Sequence, residues 1–281
     1  MTEPLISCEF FPPKTDEGSE RLRGVCEQLA VLKPEFFSVT YGAGGSTRQR
    51  TFSAVDMLKE MGCNAAPHLA SVGSSREELR EILFEYRDAG INRVVALRGD
   101  PPGGMGWNQG DFQYANELVS FIREETGDHF TIEVAAYPEY HPQAETPKAD
   151  IDNFARKVEA GADSALTQYF YNDGAYFSFL DECAKRGVEI PIVPGIMPIT
   201  NFTNLARFSD MCGAEIPRWI RLKLRSFGDD KQSIADFGAD VVSQLCERLL
   251  VGGAPGLHFY TMNQATATLR ICENLNLIKP D

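Results

Sequence analysis

Eight short β-rich runs alternate with longer helical patterns along this sequence, and that alternation constrains its fold more than any other feature. The β-rich runs begin at Leu5, Phe36, Asn64, Arg93, Thr131, Ser164, Pro191 and Gly256. The first seven follow one another at intervals of roughly 30 residues, the length that a strand, a helix and two short loops require. The pattern therefore predicts a series of β/α units with parallel strands.

The apolar segments VVAL, EVAA and PIVPGI are short and nearly continuous, which is typical of strands that are covered on both faces. Eight such units predict an α/β fold of the (β/α)8 or TIM-barrel type. A doubly wound open sheet is the alternative, but that fold usually begins with a glycine-rich turn, and the sequence contains no G-x-G-x-x-G. Because no linker or low-complexity segment interrupts the chain, we predict one domain over residues 1–281.

The interval before the last run, about 65 residues long, departs from the repeat. It contains a helical pattern from Ile234 to Leu250 and the segment WIRLKL, which starts at Trp219 and fits either a ninth strand or a helix. We predict an insertion of extra helices before the last strand. Elsewhere, Ser75 with Glu78 predicts a capped helix start.

Composition excludes several classes of protein. The formal net charge of −13 argues against a nucleic-acid partner and against adhesion to an anionic membrane. No signal peptide or membrane span of ~18 apolar residues is apparent. The seven cysteines form no CxxC pair and the four histidines are scattered, so we expect reduced thiols in a cytoplasmic protein and no metal site.

Chemistry in such a barrel takes place at the carboxyl ends of the strands. Two carboxylates fall there, Glu9 after the first strand and Asp100 after the fourth. Glu9 lies in an apolar and aromatic context, so burial is expected to raise its pKa and suit it to donate a proton near neutral pH. Asp100, which follows Arg98 closely, is expected to be ionised.

Eight segments of the chain, in order and at the expected spacing, resemble methylenetetrahydrofolate reductases. They are EFFPPKT from Glu9, VTYGAGGSTRQRT, APHL, ALRGDPP, AAYPEYHP, LTQYFY, PGIMPITN and HFYTMN. The resemblance covers nearly the whole chain and matches the catalytic barrel only. We therefore expect the bacterial form of the family, which consists of that barrel alone.

The resemblance implies a barrel that binds FAD without a Rossmann motif. It implies that NADH or NADPH reduces the flavin, and that the flavin then reduces 5,10-methylenetetrahydrofolate to 5-methyltetrahydrofolate. Reductant and folate would take turns on one flavin face, in a ping-pong scheme. It also implies a homo-oligomer, while the choice between NADH and NADPH stays open.

Three residues acquire catalytic roles from the resemblance. The imidazolidine ring of the folate must open before hydride can add, and opening needs a proton on N10. Glu9 resembles the general acid that supplies it. Asp100 resembles an aspartate near the flavin, where a carboxylate would stabilise the cationic iminium. Gln168 resembles a glutamine that contacts folate and nicotinamide in turn, since an amide both donates and accepts.

The resemblance also assigns residues to the binding of FAD: Thr40, His68, Arg98, Gly99, Asp100, Tyr137, His141, Asp150 and Lys157. Arg98 and Lys157 would supply positive charge to the pyrophosphate. Phe208 falls where the family packs a phenylalanine on the nicotinamide cofactor. Gln264 departs from the family pattern, because some members have an arginine there that would pair with the glutamate tail of the folate. Recognition of that tail is expected to be weaker here or to come from other residues.

Two other functions remain open from the sequence. If WIRLKL were a strand, Lys223 could form a Schiff base in a cofactor-free lyase or aldolase. A ligand-binding barrel without catalytic activity is the second alternative, and the joint presence of Glu9, Asp100 and Gln168 argues against it.

Overall fold

The structure, a computed structural model, describes residues 4–41, 48–99 and 110–278. The strands are β1 (Leu5–Phe10), β2 (Phe36–Val39), β3 (Ala65–Ala70), β4 (Arg93–Leu97), β5 (Thr131–Ala136), β6 (Ser164–Thr167), β7 (Ile192–Val193), β8 (Gly195–Ile196) and β9 (Gly256–Tyr260). The helices are α1 (Asp16–Leu29), α2 (Arg48–Glu60), α3 (Arg76–Asp88), α4 (Ala115–Thr126), α5 (Pro147–Glu159), α6 (Asp173–Ala184), α7 (Phe202–Cys212), α8 (Arg218–Ser226), α9 (Lys231–Val251) and α10 (Thr266–Asn274), with a 3₁₀ turn at Ala30–Leu32.

The strands form one parallel sheet that curves into a barrel. Their order is β7-β6-β5-β4-β3-β2-β1-β9-β8, so the two short strands β7 and β8 stand at opposite ends of the hydrogen-bonded series. Only Pro194 separates them in the chain, and its carbonyl accepts a hydrogen bond of 3.0 Å from the backbone N–H of His258. Together β7 and β8 are one strand interrupted at a residue that has no N–H to donate. The prediction of a TIM-like α/β barrel is confirmed.

Two separate apolar clusters hold this architecture together. The larger one fills the layer between the barrel and its helices, and it includes Leu69, Ile132 and Leu257. The smaller cluster consists of strand residues, such as Phe36 and Val95, whose side chains point to the other face of the sheet. Since successive side chains of a strand point to opposite faces, these residues fill the barrel interior.

Three helices, α7, α8 and α9, occupy the long interval before β9, two more than one β/α unit needs, as predicted. WIRLKL belongs to α8, whose buried residues Ile220 and Leu224 are four apart and therefore share one helical face. Lys223 is exposed on this helix, with its Nζ atom 4.9 Å from the centre of the Phe227 ring. The alternative of a Schiff-base lysine inside the barrel is therefore wrong.

The helix starts follow local chemistry closely. Ser75 and Glu78 form the predicted capping box, in which each side chain accepts from the backbone N–H of the other. Helix α5 begins at Pro147, because Thr146 caps it and proline is favoured at the first helical position. Within the described ranges, no helix is long and apolar enough to cross a membrane.

Candidate active site

A cavity of about 350 Å³ opens at the carboxyl ends of the strands, where a barrel of this type holds its chemistry. Five of the predicted site residues line it: Glu9, Tyr137, His141, Gln168 and Phe208. The sequence analysis did not identify several apolar residues that complete the wall, among them Phe11, Met197, Met211 and Met262. The cavity is therefore a largely apolar chamber with a few convergent polar groups, which is the usual character of a small-molecule site.

Glu9 stands between two imidazoles at the base of this cavity. Its Oε2 atom lies 3.2 Å from Nε2 of His68 on β3 and 3.7 Å from Nε2 of His258 on β9. At 3.7 Å the contact with His258 is too long for a hydrogen bond, and among the described residues neither Nε2 atom, both buried, has a hydrogen-bond partner. The interaction of the carboxylate with the two rings is electrostatic.

The pKa of Glu9 corrects the expectation from sequence. Burial raises the pKa of this carboxyl, but His68 and His258 outweigh burial and lower the pKa from 4.5 to about 2. The apolar neighbours Ile6, Cys8 and Phe10 suggested the opposite direction, and the prediction of a raised pKa is wrong. In the ligand-free protein Glu9 is a carboxylate, so it must gain a proton before it can act as an acid.

Gln168 lies directly after β6 and lines the same cavity as Glu9. Its backbone N–H donates to the carbonyl of Ala136 at 2.7 Å, and its side-chain oxygen accepts from the backbone N–H of Tyr169 at 3.0 Å. The side-chain oxygen is thereby held in place. The amide NH₂ group is the part that can reach a ligand.

A corner with two cations lies beside the cavity, formed by Arg98, Gln143, Asp150 and Lys157. Arg98 donates to Oε1 of Gln143 at 2.6 Å, and Asp150 accepts from the backbone N–H of His141 at 2.9 Å. Burial lowers the pKa of Lys157 to about 8, Asp150 opposes that change, and the nearby charge of Arg98 adds to it. The Nζ atom donates to the carbonyl of Ala135. Among the described residues of this corner, Arg98 and Lys157 are cationic and Asp150 is anionic.

The remaining residues assigned to FAD surround the same mouth. Thr40 follows β2, where its N–H donates to the carbonyl of Phe10 at 2.9 Å. Gly99 follows β4 with φ of +82°, and a Cβ atom there would lie 2.8 Å from Cγ1 of Val72. Only glycine fits that position without strain. Asp100 lies outside the described residues.

Phe208 and Gln264 have different surroundings. Phe208 is half-buried on α7 and faces the cavity, next to the hydroxyl of Ser209 that contacts Tyr169 Oη at 3.0 Å. Gln264 is exposed, does not line the cavity, and makes a backbone hydrogen bond to Thr261. The structure thus brings Phe208 into the site and leaves Gln264 outside its wall.

Ser7 and His258 are two buried polar residues near Glu9 to which the sequence analysis gave no role. The Oγ atom of Ser7 lies 2.8 Å from Nδ1 of His258, inside the barrel. Ser7 stands two residues before Glu9 on β1, and His258 stands two residues before Tyr260 on β9, which lines the cavity. Residues i and i+2 of a strand share a face, and that spacing could have identified both.

The barrel architecture and the cavity at its mouth define the class of protein. This is an α/β barrel protein with a small-molecule site at the carboxyl ends of its strands. Residues 1–276 match the family model described as methylenetetrahydrofolate reductase, and the chain belongs to that family.

Two relatives bear this out. The chain is 41% identical over 277 residues to a 5,10-methylenetetrahydrofolate reductase of Pectobacterium carotovorum, covering 98% of this chain and 91% of that one. It is 36% identical to methylenetetrahydrofolate reductase (NADH) 1 of Zea mays, covering 98% of this chain and 48% of the plant protein. Among solved structures, an uncharacterized protein from Clostridium thermocellum that binds two copies of 5-methyl-5,6,7,8-tetrahydrofolic acid has the same fold. Its TM-score is 0.69 at 18% identity, over 99% of this chain and 94% of that one.

Proposed function

We propose that this protein is an FAD-dependent enzyme that reduces 5,10-methylenetetrahydrofolate to 5-methyltetrahydrofolate with NADH or NADPH. The observation that carries the proposal is the position of Glu9 at the mouth of a barrel of this family, in the wall of a cavity that Gln168 also lines. The names of the bacterial relatives state the same reaction partner, and the folate ligand of the Clostridium protein is of the same chemical class.

The residues of the barrel mouth fit FAD. Arg98 and Lys157 place two cations where a pyrophosphate could be held, and Gly99 lets a ligand approach the backbone closely. His68 has a buried Nε2 atom with no hydrogen-bond partner within the described ranges. Bound FAD would supply a carrier that accepts hydride from the nicotinamide and passes it to the folate.

The protein residues have roles on the folate side. Glu9 delivers a proton to N10 of the folate, which lets the ring open before hydride adds. The amide of Gln168 orients the folate and then the nicotinamide, and Phe208 packs against whichever ligand is present. The role of Asp100 beside the flavin stays a prediction.

The cofactor and electron donor are tested by the visible absorption spectrum of the purified protein, before and after anaerobic addition of NADH or NADPH. A flavin spectrum that bleaches would support the proposal, and the faster nicotinamide would identify the donor. The name of the Zea mays relative favours NADH. A protein that remains colourless after FAD is added back would contradict the flavin proposal and favour a binding barrel.

Lys157 makes the binding of FAD depend on pH. Burial lowers the pKa of its ammonium group to about 8 in the FAD-free protein, and a bound pyrophosphate would raise it again. Below pH 8 the group is already charged, whereas above pH 8 FAD binding must take up a proton. We therefore expect the Kd for FAD to be flat below pH 8 and to rise with a slope approaching about tenfold per pH unit above it.

A Lys157→Met variant isolates this effect. Loss of one charge-assisted hydrogen bond should weaken FAD binding by roughly 10- to 100-fold at pH 7, from about 1.5–3 kcal/mol. The rise of Kd above pH 8 should also disappear. Lys148→Met is the matched control, because Lys148 is exposed on the same helix and pairs with Asp152. Fluorescence titration with FAD gives both values, and an unchanged pH profile in Lys157→Met would contradict the assignment.

We also propose a cytoplasmic location and a homo-oligomeric state, in line with the family resemblance. All seven cysteines of the chain are free thiols, which is consistent with a reducing compartment. Light scattering coupled to size-exclusion chromatography measures the oligomeric state, and a monomeric mass would contradict that part of the proposal.

A further inference from the structure

An asparagine side chain ties the loop after β9 to the end of β1. The backbone N–H of Phe11 donates to Oδ1 of Asn263 at 2.8 Å, and Nδ2 of Asn263 donates to the carbonyl of Phe11 at 2.9 Å. Because a backbone N–H only donates and a carbonyl only accepts, the two bonds fix the orientation of the amide. One side chain thus satisfies both hydrogen-bonding groups of one backbone residue.

The sequence around Phe11 explains why a side chain is needed there. The parallel pairing of β1 with β9 ends where Glu9 stands opposite Tyr260. Two prolines follow Phe11 directly, and proline has no N–H to donate to a neighbouring strand. The side chain of Phe11 is also 42% exposed, so packing alone does not hold it. The amide of Asn263 therefore replaces the strand neighbour that Phe11 lacks.

The loop that carries this amide has an unusual backbone. Met262 and Asn263 have φ of +53° and +56°, in the left-handed region that residues other than glycine seldom adopt. The hydroxyl of Thr261 holds the base of the loop, because it donates to the carbonyl of Glu9 at 2.7 Å and accepts from the N–H of Asn263 at 3.2 Å. Such a conformation persists only where its surroundings impose it, and it is concentrated at functional sites.

The two residues that this arrangement holds belong to the cavity wall. Phe11 and Met262 both line the cavity, as does Glu9, which stands two residues before Phe11. Asn263 does not line the cavity, so any effect on a ligand passes through its hydrogen-bond partner Phe11 and its chain neighbour Met262. Two apolar side chains from different loops are thereby joined into one surface beside the carboxyl group.

We propose that Asn263 is a positioning residue, whose amide holds Phe11 and Met262 together as the wall on which the ring system of the folate packs. The inference rests on the proposed function, because a folate that receives a proton from Glu9 must lie against the side chains next to it. The nicotinamide receives no proton from Glu9 and does not need to contact this wall. Asn263 would therefore favour binding of the folate over binding of the nicotinamide.

The physical basis of the proposal is preorganisation of the wall. Without the amide, the backbone at Phe11 and Met262 would become ordered only when the folate binds. Ordering the backbone of one residue costs a factor of roughly 5–30 in affinity. The proton transfer would be affected much less, because Thr261 still anchors the carbonyl of Glu9. Loss of the amide is thus expected to raise the KM for the folate and to change kcat little.

Asn263→Gly tests this expectation. Glycine adopts the left-handed backbone freely, so the loop can keep its shape while the amide is lost. We expect the KM for the folate to rise roughly 10-fold or more. The kcat and the rate of flavin reduction by the nicotinamide should stay within about threefold of the wild type. Asn276→Gly is the matched control, because Asn276 also has φ of +56° and lies after α10, outside the cavity wall. It should change none of these values.

Hydrogen exchange followed by mass spectrometry gives a readout that does not depend on activity. Because the two prolines have no N–H, the amide of Phe11 is the last exchangeable one before Lys14. It should be protected in the wild type and in Asn276→Gly, and should exchange on the order of 10-fold faster in Asn263→Gly. If the glycine variant does not fold, Asn263→Asp replaces it. Aspartate keeps the acceptor for the Phe11 N–H but places an oxygen against the Phe11 carbonyl, so the KM for the folate should again rise.

Each outcome bears on a separate step of the inference. Unchanged exchange of the Phe11 amide in Asn263→Gly would overturn the bond between the two loops. Faster exchange with a wild-type KM for the folate would overturn the role of the wall. A fall in kcat as large as the rise in KM, together with a lower Tm, would reduce Asn263 to structural support and also overturn the proposal. Failure of the wild type to reduce the folate would instead overturn the proposed function and the folate wall with it, while the exchange of Phe11 would still report on the bond itself.

Discussion

Replacement of Glu9 by Gln is expected to lower the rate of folate reduction by about 10²–10⁴-fold, and to leave reduction of bound FAD by the nicotinamide within about twofold of the wild type. The two half-reactions separate because only the folate step requires a proton at a leaving nitrogen. Glutamine has nearly the same size as glutamate and still presents an oxygen to His68 and His258. It cannot release a proton, so the loss reports on proton transfer.

The magnitude follows from the surroundings of the carboxyl group. Its pKa of about 2 means that at pH 7 almost none of the free protein holds the proton on Glu9. Binding of a folate in the apolar cavity would exclude water and disfavour the carboxylate, which would raise the pKa of Glu9 from its low value in the free protein. We therefore expect the carboxyl group to act as an acid only while a folate is bound.

Stopped-flow absorbance measures the two half-reactions separately, through the bleaching and recovery of the flavin spectrum. Glu139→Gln is the matched control. Glu139 lies after β5, where it accepts from the backbone N–H of Glu215 at 2.8 Å, and it does not line the main cavity. That exchange should change neither rate. Equal losses of both half-reactions in Glu9→Gln would contradict the general-acid role and indicate a defect in FAD binding.

Much of the fold was predictable because its determinants are local. Each β/α unit carries its own apolar strand and its own helix signals, so all eight predicted strand positions correspond to strands in the structure. WIRLKL was ambiguous because Trp219, Arg221 and Lys223 alternate with apolar residues, as in a strand. Burial of Ile220 and Leu224 against the rest of the chain decides for helix α8, and that contact is tertiary.

The sequence predicted which residues form much of the candidate site, but not the electrostatic environment of Glu9. Motif order identified Glu9, Gln168 and Phe208, all of which line the cavity. The pKa of Glu9 depends on His68 and His258, which reach it from strands β3 and β9. Neighbours in sequence suggested an apolar environment, and only the closed barrel shows which charged and polar groups surround the carboxyl. The direction of the pKa shift of Glu9 therefore depends on which strands lie near β1 in the closed barrel.

Replacement of Gly195 by Ala is expected to destabilise the protein by about 3 kcal/mol or more, at the upper end of what overpacking costs. Gly195 begins β8, at the break in the seventh barrel strand, and its N–H donates to Oγ1 of Thr167 at 2.9 Å. A Cβ atom there would lie 2.1 Å from the carbonyl oxygen of Thr167 and 2.6 Å from Cε2 of Tyr260. The first contact is with backbone, which cannot rotate away, so β8 must move away from β6.

The same substitution would disturb the site. The hydroxyl of Tyr260 donates to the carbonyl of Thr167 at 2.7 Å, so its ring passes directly over Gly195 on the way to β6. A displaced Tyr260 ring would also lose its edge contact with His258 and widen the cavity beside Glu9. We therefore expect a higher KM for the folate together with the loss of stability.

Gly24→Ala is the matched control, since Gly24 lies in the middle of α1 with no atom within 4 Å of an added Cβ. Alanine should stabilise that helix by up to about 1 kcal/mol. The two Gly→Ala variants should thus move Tm in opposite directions, with a fall of roughly 6–12 °C for Gly195→Ala at about 2–4 °C per kcal/mol. Equal Tm values for the two would mean that the barrel can open between β6 and β9 without cost. In that case the contact of Tyr260 with Thr167 would not be what holds the broken seventh strand in place, and the backbone pairing of β7 and β8 would have to close the barrel unaided.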